Sequence, residues 1–176
     1  MNQRIRENVK SKISEDLSPL ASFDIHLTNF KKLNNQYKKD NDISNLINIL
    51  NASYWTSNVT TMIFQKDYDA LVLTDKKQKI VWVSGGFTNM TGYSKTFATG
   101  KRPSFLQGEK TSLSVKKQIR NDLKNNDRFN GSILNYKKNG GIYNCQVTIS
   151  PLYNSKQEVK YFLAFEKEIP MNKSIS

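Results

Sequence analysis

Two textures of hydrophobic and polar positions divide the chain near residue 66. Before it, apolar residues recur at helical spacing. Phe30, Leu33 and Tyr37 fall at i, i+3 and i+7, and Ile43, Leu46, Ile47 and Leu50 form a second stripe. Asp42 is placed to cap the second helix, and Asn34-Asn35 and Asn51-Ala52-Ser53 read as breaks between short helices. Apolar residues are few per turn, so these helices are expected to pack on something else.

After Tyr68 the pattern shortens. Residues 70–74 and 80–84 read as two strands joined by the polar turn 75–79. The glycines and polar residues of 85–95 predict short helical turns. Residues 112–125 predict an amphipathic helix with Val115, Ile119 and Leu123 on one face. Strands follow at 132–136, 142–152 and 159–167, separated by a turn whose Asn139-Gly140 supplies positive φ and by a second polar turn at 154–156. This order is α+β, with a five-stranded antiparallel sheet and short helices, and not the βα alternation of a doubly wound sheet. On the fourth strand Tyr143, Cys145, Val147 and Ile149 share one face, which turns Cys145 into the core or a pocket.

Composition narrows the function classes. With 37% hydrophobic and 24% charged residues the chain reads as globular. No apolar run reaches the roughly 20 residues of a spanning helix, and the start lacks the apolar block of a signal peptide. The one cysteine excludes an intrachain disulfide and fits a cytoplasmic location. With the single histidine, His26, it also speaks against a Cys/His metal cluster; His26 reads as a surface residue. The net charge of +12 is spread over short basic pairs on several elements, with no nucleic-acid motif, so no nucleic-acid partner is expected. No phosphate-cradling glycine loop or nucleophile elbow is present, so no enzyme and no catalytic residue is expected.

The stretch Gly100-Lys101-Arg102-Pro103-Ser104-Phe105-Leu106-Gln107-Gly108 resembles the signature loop of LOV domains, the flavin-binding branch of the PAS sensor family. In that family the loop carries a cysteine that attacks the flavin under blue light; here Pro103 stands at its place. The segment from Val83 to Ser94, with its Thr91-Gly92-Tyr93-Ser94 ending, is similar to the family's helix-start segment. Leu134-Asn135-Tyr136, Thr148-Ile149-Ser150-Pro151-Leu152 and Tyr161-Phe162-Leu163-Ala164 are similar to its last three strands. The resemblance covers residues 69 to 168 and implies a PAS fold. The expected division is a helical extension over 1–66, the LOV-like domain over 67–170 and a disordered tail over 171–176.

The resemblance places Gln107 and Asn135 at positions that face the flavin, and Arg120 at one of two arginines that pair with the FMN phosphate. The second arginine is replaced by Ser104, and Arg102 just upstream is a substitute whose direction the sequence does not give. The family's second ring-binding asparagine falls on Cys145, where a small buried hydrophobe is expected. Its flavin-reporting glutamine falls on Glu166, expected at a frayed, solvated strand end; buried beside a ring, it would instead be a proton or hydrogen-bond partner. Ser84 stands where the family has a structural asparagine. Pro103 offers no nucleophile, which excludes covalent LOV photochemistry at that position.

The alignment turns Phe162, Ala164 and Glu166 inward. Tyr161, Leu163 and Phe165 then lie on the outer face with Leu134 and Tyr136, and an apolar outer face must be covered. The candidates are the N-terminal helices, a second subunit or a partner protein. A flavin-sized pocket of about 300 Å³, left empty, would cost about 7 kcal/mol, against a domain stability of about 5–15 kcal/mol. The pocket is therefore occupied, wet, or filled by Trp82, Phe87, Tyr93, Phe97, Phe105 and Tyr143. The leading expectation is a stand-alone PAS signalling module acting through protein contact or dimerisation. The alternatives are an FMN-binding photo- or redox sensor with non-covalent chemistry, and a structural interaction domain whose pocket has collapsed.

Overall fold

The computed structural model describes residues 19–50 and 53–171, so the expected break at Asn51-Ala52 and the tail beyond Met171 lie outside the described residues. The elements are helices α1 (Pro19–Leu50) and α2 (Ser53–Gln65), strands β1 (Ala70–Asp75) and β2 (Ile80–Val83), helices α3 (Gly85–Thr91) and α4 (Lys95–Ala98), a 3₁₀ turn (Pro103–Leu106), helix α5 (Leu113–Lys124), and strands β3 (Phe129–Tyr136), β4 (Ile142–Tyr153) and β5 (Val159–Ile169). Two compact units are present, the first ending at Leu46 and the second beginning at Ile47.

The first unit corrects one expectation. Asn34-Asn35 do not break the helix and Asp42 does not start one; all three lie inside the 32-residue α1. The described helix starts on a proline, where the missing N–H is not needed, and contains neither another proline nor a glycine. Asparagine costs only about 0.7 kcal/mol against alanine in a helix interior, too little to stop it. Phe30, Leu33 and Tyr37 on this helix are 68%, 69% and 74% exposed.

In the second unit the five strands form one antiparallel sheet in the order β2-β1-β5-β4-β3. β5 lies between β1 and β4, with Ala70 opposite Glu166, Leu73 opposite Leu163 and Val147 opposite Glu166. The inner face carries the core, built on Val72, Ile80, Phe87, Leu106, Phe129 and Tyr143 among others. Helix α3 meets the sheet so closely that a Cβ on Gly86 would lie 1.8 Å from the carbonyl oxygen of Asp69. Ser84 ties β2 to β1: its Oγ accepts from Leu71 N–H at 2.9 Å, and its N–H donates to Leu71 O at 3.0 Å.

On the outer face Leu71, Leu73, Leu163 and Phe165 are buried within the single chain. Val59 and Ile63 of α2 are buried too, and beyond that helix Tyr68 packs edge-on against Phe165 with ring centres 5.8 Å apart. Leu163 and Phe165 are thus already covered and do not offer a free docking face. Tyr161 and Leu134 are half-buried. Tyr136 departs from the expected outer face: its ring packs against Gly108, and its hydroxyl accepts from Lys110 N–H at 2.9 Å. The room left by the missing Cβ of Gly108 draws the ring onto the loop.

Candidate functional site

The inner face of the sheet and helix α5 enclose a cavity of about 420 Å³. Val72 and Thr74 of β1, Val147 and Ile149 of β4, and Phe162 and Ala164 of β5 give it an apolar floor. Ile119 and Leu123 of α5 and Leu106 of the 3₁₀ turn close it from the other side. These positions follow from the two periodicities: alternate residues of the strands face inward, and every fourth residue of α5 does. Ser112 fixes the start of α5 by accepting from Val115 N–H.

The loop is held by its own chemistry. Gln107 N–H donates to Ser104 O, while Thr111 Oγ1 accepts from Gly108 N–H at 2.9 Å and donates to Leu134 O at 2.7 Å. Pro103, Ser104 and Gln107 of this loop line the cavity. Of the aromatic residues available to fill the pocket, none of Trp82, Phe87, Tyr93, Phe97, Phe105 or Tyr143 lines it. Phe87 and Tyr143 are buried in the core, and Tyr93, Phe97 and Phe105 pack on one another at 4.9–5.5 Å. The cavity is open, not collapsed.

Its lining includes three cations and two buried polar residues, besides Thr74, Gln78, Ser104 and Gln107. Arg102, Lys116 and Arg120 all line it and give it a cationic side. Arg120 Nε donates to Lys116 O at 3.1 Å, which lays the guanidinium along the helix. Arg102, just upstream of Ser104, also lines the cavity. Asn135 and Glu166, 5% and 6% exposed, are the two buried polar residues. Asn135 Oδ1 and Glu166 Oε2 have no hydrogen-bond partner in the protein, whereas Asn135 Nδ2 donates to Tyr143 OH at 3.5 Å.

Glu166 is not at a frayed, solvated end. β5 runs on to Ile169, with Val147 and Ala70 on either side of Glu166, and burial pushes its carboxyl up to about 7. Cys145 is fully buried in the core cluster and does not line the cavity. Burial, and then the charge of Glu166, pushes its thiol upward, so it stays protonated and unreactive. The same two causes, in the same order, raise Tyr143. His26 is exposed on α1, and the described residues contain no group of three metal-ligating side chains. No described helix is long and apolar enough to cross a membrane.

The sequence reading missed Lys116, Thr74 and Gln78 at the cavity. Lys116 stands four residues before Arg120, which puts both on one helix face, and that spacing was a usable signal. Gln78 reaches the site from a turn where it adopts φ 62°, a conformation no simple pattern announces.

Comparison with known proteins agrees with the fold. A family profile described as "PAS domain" matches residues 69–169, more than half of the chain. A blue-light photoreceptor of Listeria innocua serovar 6a is 34% identical over 102 residues, covering 56% of this chain and 40% of the relative. The chain thus spans well under half the length of that relative. Among solved structures, the light state of the Aureochrome1 LOV domain superposes with a TM-score of 0.59 at 26% identity, covering 62% of this chain and 88% of that one. The light-state dimer of the fungal blue-light photoreceptor Vivid gives 0.53 at 29%, covering 55% and 75%. The chain belongs to the PAS domain family, and its relatives include LOV domains of blue-light photoreceptors.

Proposed function

We propose that this PAS domain is a sensory module that binds a flavin mononucleotide-type ligand without a covalent bond and passes its state to a protein partner or a second copy of the chain. The observation that carries the reading is the pair of unpartnered buried oxygens on Asn135 and Glu166, both at one open apolar cavity. Buried polar atoms without partners are costly, and a planar heterocycle with donors and acceptors on its edge would satisfy these two. The cationic residues that line the same cavity suit a phosphate on such a ligand. A flavin would supply light absorption and redox chemistry; the chain would hold its ring between α5 and the sheet and exclude water from it.

Pro103 lines the cavity and Cys145 is buried in the core, which supports a reading without a covalent adduct and without a catalytic residue. The exposed stripe of Phe30, Leu33 and Tyr37 on α1 is the surface we assign to partner contact. The open cavity argues against the purely structural alternative.

The test is titration of the full chain with FMN and with riboflavin, read by quenching of flavin fluorescence. Arg102→Ala and Arg120→Ala should each weaken FMN about fivefold, the effect of about 1 kcal/mol for a solvent-screened ion pair, and leave riboflavin unchanged. A protein that binds neither flavin, with no ligand found by native mass spectrometry, sinks the reading.

A further inference from the structure

The two unpartnered oxygens differ in what they can offer a ligand. The amide oxygen of Asn135 only accepts, whereas a carboxyl can donate only while it carries its proton. A ring edge that places a donor beside an acceptor satisfies both residues only when Glu166 is the donor. A carboxylate in that place would face the ligand's acceptor as one anion-like group against another. Resting on the flavin reading above, we propose that Glu166 is a ligand-binding residue that acts as a hydrogen-bond donor, so that the pocket holds one proton at this side chain whenever the ligand is docked.

The surroundings of Glu166 support a site built for a neutral carboxyl. On β4, Tyr143 and Cys145 sense its charge, and both are held in their neutral forms by burial. Asp69, ahead of β1, accepts from Glu168 N–H; Glu168 pairs with Lys137, and Lys167 pairs with Asp67. From α5 and the loop, Lys116, Arg120 and Arg102 line the same cavity and favour the carboxylate, yet none of them forms an ion pair with it. β3 contributes the uncharged Asn135. Burial alone already raises the carboxyl to about 7, and a ligand acceptor that takes a hydrogen bond from its protonated form raises it further.

The sign of the linkage follows. A carboxyl whose value rises on binding leaves affinity constant below its value in the free protein. Above that value, affinity falls as pH increases, because binding must then take up a proton. FMN titrations of the full chain and of Glu166→Gln, between about pH 6 and 9, measure this. The ratio of the wild-type to the variant Kd cancels the ligand's own titrations. It should be constant below about pH 7 and rise by up to about tenfold per pH unit above it. An infrared difference spectrum of the wild type at about pH 8, loaded minus empty, should gain a protonated-carboxyl band, and this needs no variant. A flat ratio, or no such band, overturns the proposal while FMN binding itself stands. Absence of FMN binding by both proteins at every pH overturns the flavin reading and this inference with it.

Discussion

Gly86→Ala should cost the domain about 3 kcal/mol or more, a large share of a stability of about 5–15 kcal/mol. The added Cβ would sit 1.8 Å from Asp69 O and 3.0 Å from its carbonyl carbon, both backbone atoms. That backbone cannot retreat, because Asp69 N–H donates to Glu166 O at 2.8 Å and the next residue enters β1. The helix must move instead, and α3 carries Phe87 and Met90 into the core. Gly85→Ala is the internal control: its Cβ would meet nothing within 4 Å, so its cost should stay within about 0.5 kcal/mol. Urea unfolding of both variants checks the pair. Equal midpoints would show that the approach of α3 to the sheet is not a constraint on this fold.

Leu163→Ala should cost about 2–5 kcal/mol, as expected for a fully enclosed leucine. Leu163 has no exposed surface and lies between Leu73 and Ser150 on the outer face of the sheet. Phe30→Ala on α1 removes a larger side chain that is 68% exposed, and should change stability by less than about 0.5 kcal/mol. The contrast separates a face that the chain covers itself from a surface left for a partner. If Leu163 served docking, its loss would weaken association and spare the monomer's unfolding midpoint.

The fold was legible because its signals are local and repeated. Strand alternation, the four-residue spacing of Val115, Ile119 and Leu123, and the glycines around the loop each named an element, and their order fitted one family. Direction was legible where a residue sits on a regular element: Asn135 and Cys145 are buried as strand alternation implies, and Asn135 lines the cavity while Cys145 does not. It was illegible elsewhere. Arg102 stands just ahead of the 3₁₀ turn, off any regular element, and Gln78 is itself a left-handed turn residue. Glu166 misled for another reason. Its charge argued for solvent, but the pairing of β5 with strands on both sides buries it regardless. Asn34 and Asn35 misled because a weak propensity was read as a stop signal, while the chain around them held no true breaker.

The central place of β5 has a consequence for how the chain is made. β1 and β2 form one hairpin and β3 and β4 another, and only the pairing of β5 with β1 and β4 joins them into a sheet. A nascent chain that has emerged only as far as residue 158 therefore holds two hairpins with unpaired inner edges and no shared floor for the cavity. Such edges recruit other strands, so mispairing is favoured until β5 is available. Folding of the second unit, and with it any capture of a ligand, waits for the last strand to leave the ribosome.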